Sequence, residues 1–236
     1  TLIDPGSIPT LSISRESGED ILELMAASDV EATVMVAVTP LESRNVIAEK
    51  PGTAGDGSVI VLGGHYDTIP GVAGANDNGS GIATLVSIAS EIADTTYPFT
   101  VRFIAFGSEE MGLFGSGFYV ASLSPEEQES VIAMLNFDAL ATGDVVGLLG
   151  AFDLSRDMVD YGQEVGIPAE RRPSLGRGLS SDHASFQRVG IPVVFFLADD
   201  ISRIHTPADT LEFVQPQLMG NSAALAIFLL DSLREP

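Results

Sequence analysis

The sequence predicts an α/β fold, a three-layer α/β/α sandwich whose central sheet is mixed but mostly parallel. Three observations carry that expectation. Near-continuous apolar runs at Ser58–Leu62, Phe99–Phe106, Val131–Phe137 and Ile191–Leu197 have strand length and read as strands buried on both faces. Helix-patterned segments alternate with them, the order that sets a largely parallel sheet between two helical layers. With 236 residues, 45% of them hydrophobic, the chain is long and apolar enough to fill one large α/β core.

The elements follow in order. Ile8–Ser14 alternates apolar and polar residues, the period of a half-buried strand. Ser17–Ala27 reads as a helix with Ser17 at its N-cap, Glu19 and Asp20 in the first turn, and Ile21, Leu24 and Met25 as its apolar stripe. Ala32–Val38 alternates weakly, and Asn45–Glu49 is a short strand candidate. Pro51–Gly57 is a turn leading into the buried strand 58–63, so 45–63 predicts a hairpin. Helix 80–93 precedes strand Phe99–Phe106, and a Gly-rich turn then leads to a short helix around Phe114–Ala121. Ser124-Pro125 is an N-cap with proline at the first helical position. Strands Val131–Phe137 and Val145–Leu149, helices Ser155–Val165 and Ser181–Val189, strand Ile191–Leu197 and a long helix Pro216–Leu233 complete the chain. No internal repeat or low-complexity tract is visible.

Charge narrows the function. The net charge is −22, from 33 acidic and 11 basic residues, which argues against nucleic acid and anionic membranes as partners. No apolar run is long enough to span a membrane. There is no cysteine, so a metal site here has to use His, Asp and Glu. The chain begins Thr1-Leu2-Ile3, without methionine or a signal peptide. That start leads us to expect a piece of a longer precursor, secreted or extracellular, with periplasmic or cell-surface placement as variants of the same expectation.

The chemistry-bearing residues gather where apolar strands stop. His65 and Asp67 close strand 58–63 in Gly63-Gly64-His65-Tyr66-Asp67, and Asp77 follows in a Gly-rich loop. Glu109 and Glu110 follow strand 99–106, Asp138 follows strand 131–137, and His205 stands in a Pro-punctuated turn. A lone strand-end aspartate is commonly a cap or turn former. Four such ends on one edge of a parallel sheet can converge, and there open α/β sheets place their ligand sites. Imidazole with carboxylate suits zinc. His65, Asp77, Glu110, Asp138 and His205 make a ligand set for two metals with Asp77 bridging, the composition of a hydrolytic centre with ions roughly 3.5–4 Å apart. Glu109 is then available to move a proton, and Asp67 to accept the other ring N–H of His65.

The motifs G-G-H-Y-D, G-A-N-D-N-G-S-G, F-G-S-E-E-M-G-L-F-G-S, N-F-D, S-S-D-H-A-S-F and I-H-T-P-A-D-T together resemble the M28 family of zinc aminopeptidases, from about Asn45 to the C-terminus. The resemblance implies the zinc-dependent exopeptidase fold and two Zn²⁺ per chain. It gives His65 and Asp138 to one ion, Glu110 and His205 to the other, and Asp77 to both. It makes Glu109 the general base acting on a metal-activated water and Asp67 an orienting partner. It also implies a cis peptide at Asp77–Asn78. The implied substrate is a peptide with a free N-terminus, cleaved at its N-terminal bond. Residues 1–29 resemble the closing strand and helix of the protease-associated insert found in this family, leaving 30–236 as the catalytic domain.

Two positions depart from the family pattern. Ile204 stands before the last histidine, where some members have tyrosine, and Arg177-Gly178-Leu179-Ser180 precedes Ser181-Asp182-His183, where others have tyrosine or arginine. Such groups help hold the oxyanion, so Arg177, Asp182 and His183 are candidates for transition-state or substrate support. Rival readings are a carboxypeptidase, a dipeptidase or a one-zinc glutaminyl cyclase on the same scaffold, and a binding ectodomain that has lost catalysis. Retention of all five ligands favours hydrolysis.

Overall fold

A computed structural model of the chain describes residues 13–31, 33, 41–174 and 180–234. The chain divides into two compact units, Thr1–Glu42 and Ser43–Pro236. In the first, helix α1 (Arg15–Ala27) starts three residues earlier than its sequence suggests. Ser14, not Ser17, is the cap, and its hydroxyl accepts the Ser17 N–H at 3.1 Å. The strand expected at Ile8–Ser14 lies, except for Ile13 and Ser14, outside the described residues. So does the alternation at Ala32–Val38, except for Thr33.

The second unit holds β1 (Val46–Lys50), β2 (Val59–His65), α2 (Gly81–Glu91), β3 (Thr100–Phe106), α3 (Phe114–Ser122), α4 (Pro125–Ser130) and β4 (Val131–Phe137). β5 (Val146–Gly150), α5 (Phe152–Val165), β6 (Ala169–Arg171), α6 (His183–Gln187), β7 (Val193–Ala198) and α7 (Pro216–Ser232) follow. The strands form one sheet in the order β1-β3-β2-β4-β7-β5-β6. Pairings β2–β3, β2–β4, β4–β7 and β5–β6 are parallel, while β1–β3 and β5–β7 are antiparallel. Among the described residues no helix is long and apolar enough to cross a membrane.

Strand periodicity sets the three layers. Ile60 and Leu62 of β2 bury against α2 and α7 in one core, which also takes in Phe137, Phe196 and Met158. Val59 and Val61 face the other way, into a smaller core with Tyr119 of α3 and Phe186 of α6. Both faces of β2 are thus covered, which explains its unbroken apolar sequence.

The expected 45–63 hairpin does not form. β3 lies between β1 and β2 and pairs with both. The connecting turn is held by the entrance to β3: Gly52, Thr53 and Ala54 donate to Thr100 Oγ1, the Tyr97 carbonyl and the Pro98 carbonyl at 3.1, 3.0 and 3.0 Å. Turn composition marks a reversal, but here long-range pairing decides which strand is met. β6 has only three residues and shows no usable sequence period.

Candidate metal centre

β2, β3, β4 and the segment after β7 deliver their ends to one edge of the sheet. The Gly63-Gly64 pair ending β2 is a packing requirement: a Cβ on Gly64 would lie 2.6 Å from the Phe137 carbonyl oxygen of β4. His65, the last residue of β2, is 1% exposed. Its Nδ1 is 3.0 Å from the backbone carbonyl of Asp67, which can only accept, so Nδ1 carries the proton and Nε2 faces the carboxylates.

Asp77 sits in an irregular turn over Ala75–Ser80 with a cis Asp77–Asn78 bond, the geometry the resemblance implies. Its Oδ1 is 3.1 Å from His65 Nε2 and its Oδ2 is 3.0 Å from His205 Nε2. Asp138 Oδ1 lies 3.4 Å from His65 Nε2, and Glu110 Oε2 lies 3.2 Å from His205 Nε2. His65, Asp77 and Glu110 have ligand atoms all within 4.8 Å of one another, as do His65, Glu109 and Asp138. The two groupings share His65. The shortest separations instead sort the side chains into His65–Asp77–Asp138 and His205–Asp77–Glu110.

This donor set fits metal ions. His65 Nε2, Asp77 Oδ1, Glu110 Oε1 and Asp138 Oδ1 are buried and find no hydrogen-bond partner among the described residues. Two atoms each about 2.1 Å from one tetrahedral zinc stand about 3.4 Å apart, close to the separations between the histidine nitrogens and the carboxylates. Hydrogen-bond distances without hydrogen-bond direction are what ligands sharing a cation present.

Electrostatics point the same way. Burial pushes the Glu109 carboxyl up to about 9, with the negative charges of Asp138, Asp182 and Glu110 adding to the rise and His65 opposing it. Glu110 rises to about 7 through burial and the Asp77 charge, and Asp77 itself is raised by burial. Burial lowers His65, but the carboxylates of Asp138, Asp67 and Asp77 outweigh it and raise its pKa. Asp138 is pulled down against burial by His65. Carboxylates crowded in this way repel one another unless cations stand between them.

A pH dependence follows for the chain stripped of metal. Glu109 and Glu110 hold protons more tightly folded than unfolded, where their pKa is 4.5. Their contribution to stability is full below that value and is lost as pH rises through about 7 and then about 9. The raised His65 pKa acts with the same sign above 6.5. The chelated chain is expected to melt at a lower temperature at pH 9 than at pH 6 in calorimetry. A melting temperature that stays level or climbs over that range contradicts this assignment.

Asp67 works differently from the sequence expectation. Its carboxylate is 3.6 Å from His65 Nδ1, farther than its own carbonyl, and instead accepts the Glu109 and Glu110 N–H groups at 3.0 and 3.3 Å. It therefore fixes the loop after β3 as well as the histidine. That loop turns at Ser108 (φ 58°), Gly112 (φ 121°) and Leu113 (φ 60°), not at Gly107. Gly107 is needed for space, since a Cβ there would lie 2.8 Å from the Arg44 carbonyl. Asn45, unassigned from sequence, pins the loop by accepting the Gly107 N–H at 3.2 Å and donating to the Gly115 carbonyl at 2.9 Å.

Of the support candidates, Asp182 is fully buried, with neither carboxylate oxygen bonded among the described residues. Burial pushes it to about 7, opposed by the nearby Ser116 hydroxyl and the His65 charge and reinforced by the charges of Asp138 and Asp67. His183 is buried and stacked on Phe195 at 4.6 Å between ring centroids, and burial lowers it to about 4, so its imidazole is neutral near neutrality. Arg177 lies outside the described residues. A cavity of about 120 Å³ opens over Asp77, Glu109, Asp138 and His205. Its remaining wall is largely apolar, with Phe195, Ile201 and Ile204 among its side chains.

Sequence reasoning also missed a polar network behind the ligands. Asp209 is buried, and its two carboxylate oxygens accept the N–H groups of Asn76 and Asp77 at 2.7 and 3.0 Å. The Asn76 side chain donates to Thr142 Oγ1 at 3.0 Å and accepts the Ala141 N–H at 2.6 Å, while Ser80 Oγ accepts the Leu140 N–H at 2.9 Å. The only sequence signal was that Asn76, Ser80 and Asp209 fall within the quoted motifs.

Known proteins resemble this chain over most of its length. Residues 45–230 match the sequence profile of peptidase family M28. Aminopeptidase YwaD of Bacillus subtilis is 31% identical over 231 residues, covering 92% of this chain and 50% of that protein. Leucine aminopeptidase 2 of Trichophyton rubrum is 32% identical over 208 residues, covering 80% and 41%. The structure of BSAP, a zinc aminopeptidase from Bacillus subtilis, superimposes with a TM-score of 0.71 at 27% identity, covering 80% of this chain and 49% of that one. The chain spans about half the length of the curated relatives it matches, or less. With the M28 profile matched from residue 45 to 230, the chain belongs to peptidase family M28.

Proposed function

We propose that this chain carries the catalytic centre of a di-zinc exopeptidase that removes the N-terminal residue of peptides. The carrying observation is Asp77, which presents one carboxylate oxygen to each of two histidines, His65 and His205. One ion would be held by His65, Asp77 and Asp138, the other by His205, Asp77 and Glu110. Zinc bound there would polarise the scissile carbonyl and acidify the attacking water. The relatives named as aminopeptidases, and the neighbour named as a zinc aminopeptidase, support this reading.

The chain's own groups do the rest. Glu109 lines the cavity and takes the proton of the attacking water on its carboxylate, then returns it to the leaving amine. With the neighbouring carboxylates committed to cations, the repulsion raising its pKa is relieved, and burial leaves it a better base than an exposed glutamate. Asp67 holds the Glu109 backbone in place. The carboxylates of Glu109 and Asp138 give the substrate's α-ammonium group a counter-charge. Phe195, Ile201 and Ile204 offer an apolar surface to the N-terminal side chain.

Hydrolysis of leucine anilide against N-acetyl-leucine anilide tests the reading. The free amine is expected to be cleaved and the blocked one spared by at least about 30-fold, the low end of the cost of removing one partner of a buried charged pair. Equal cleavage of both would overturn the exopeptidase assignment.

A further inference from the structure

His205 and Asp209 lie four residues apart, within Ile204-His205-Thr206-Pro207-Ala208-Asp209-Thr210. The two ligand histidines are anchored very differently. His65 closes a strand buried along its whole length, whereas His205 is 48% exposed on a turn with φ 60°. Most bonds around His205 stay within its own turn: Thr206 N–H to the Arg203 carbonyl at 3.2 Å, Thr206 Oγ1 to the same carbonyl at 2.7 Å, and Asp209 N–H to the Thr206 carbonyl at 3.0 Å. Asp209 leaves that turn. Only 2% exposed, it grips the consecutive amides of Asn76 and Asp77, 133 and 132 residues away in sequence. Both bonds run from neutral N–H donors to a carboxylate, the stronger class of hydrogen bond.

We propose that Asp209 is a positioning residue that locks the His205 turn to the backbone of Asp77, and so sets the affinity of the metal position shared by His205, Asp77 and Glu110. The inference rests on the two-ion reading and adds an asymmetry to it. The His65–Asp138 position shares Asp77 but takes its other two ligands from the ends of β2 and β4, so it depends on the lock less than the His205–Glu110 position, whose histidine sits on the locked turn itself. Asp209→Asn keeps the shape but turns one acceptor into an NH₂ donor facing a backbone N–H, so one of the two bonds is lost.

The test is titration of the metal-free chain with Co²⁺, following visible absorption for coordination and calorimetry for affinity. Asp209→Asn is expected to bind its first ion as the wild type does and its second about 10–100-fold more weakly, the usual effect of an outer-shell partner. Ser222→Ala is a matched control, because it removes a buried bond within α7, Ser222 Oγ to the Leu218 carbonyl at 3.0 Å. It should lower the melting temperature and leave both affinities alone. Two wild-type affinities in Asp209→Asn, or parallel weakening of both ions in proportion to its loss of melting temperature, overturn the proposal. If the variant does not accumulate folded, amide exchange in the metal-free wild type decides. The Asn76 and Asp77 amides should be protected, and rapid exchange at both refutes the lock. A wild-type chain binding only one Co²⁺ would instead sink the two-ion reading itself.

Discussion

Glu109→Gln is expected to keep its zinc and lose most of its turnover. Glu109 and Glu110 are adjacent, and Asp67 binds the amide N–H of both, so backbone geometry alone does not rank them. Their side chains differ. Glu110 Oε2 is 3.2 Å from His205 Nε2 and 8% exposed, in the position of a ligand. Glu109 lines the cavity beside Asp77 and Asp138, and its pKa responds mainly to burial. Glutamine preserves that shape and removes the proton acceptor. General acid–base catalysis is commonly worth about 10²–10⁴-fold, equivalent to about 3–5 kcal/mol of barrier. Zinc content by elemental analysis together with kcat checks this. A Glu109→Gln protein short of zinc, with a fully loaded Glu110→Gln protein, would reverse the two roles.

Asp77→Asn should be as damaging, through metal rather than proton transfer. Each oxygen of Asp77 serves a different histidine, so the substitution removes negative charge from both positions at once. The loss in affinity should exceed the roughly 100-fold upper range for outer-shell partners, because the proposed two-ion centre makes Asp77 itself a ligand at both positions. With zinc at 100 times the wild-type dissociation constant, binding adds about 2.7 kcal/mol of stability per site. The variant should forfeit most of that, so its melting temperature in zinc should approach that of chelated wild type. A variant that still gains the wild-type zinc-dependent rise in melting temperature would show that Asp77 does not bridge.

Much of this centre is legible in the sequence. β2, β4 and β7 are buried along most of their length and β3 is buried or half-buried throughout, and such strands leave near-unbroken apolar runs whose ends can be located to a residue or two. His65, Asp77, Glu110, Asp138 and His205 could then be placed at those ends. What stayed hidden was pairing and atom-level choice. Nothing in Pro51–Ser58 says that its donors will meet the entrance of β3, so the hairpin reading followed composition and missed the partner strand. The placement of Asp67 near His65 was legible, but the competition between its carbonyl and its carboxylate was not. Asp209 in a Pro-Ala-Asp turn looks like any turn former, and only the fold brings Asn76 and Asp77 beneath it. α6 is shorter than the 181–189 pattern because Arg188 to Gly190 close in tight turns before β7.

The most direct measurement is a zinc titration of the metal-free chain, with hydrolysis of leucine anilide recorded at each addition. In the proposed centre, bridging by Asp77 would tie both ions to one catalytic site. The account predicts no turnover without metal and a rise that is complete at about two zinc ions per chain, as expected of a two-metal hydrolytic site. Full activity in the exhaustively chelated chain, or a plateau reached at one zinc with no second ion bound, would contradict it.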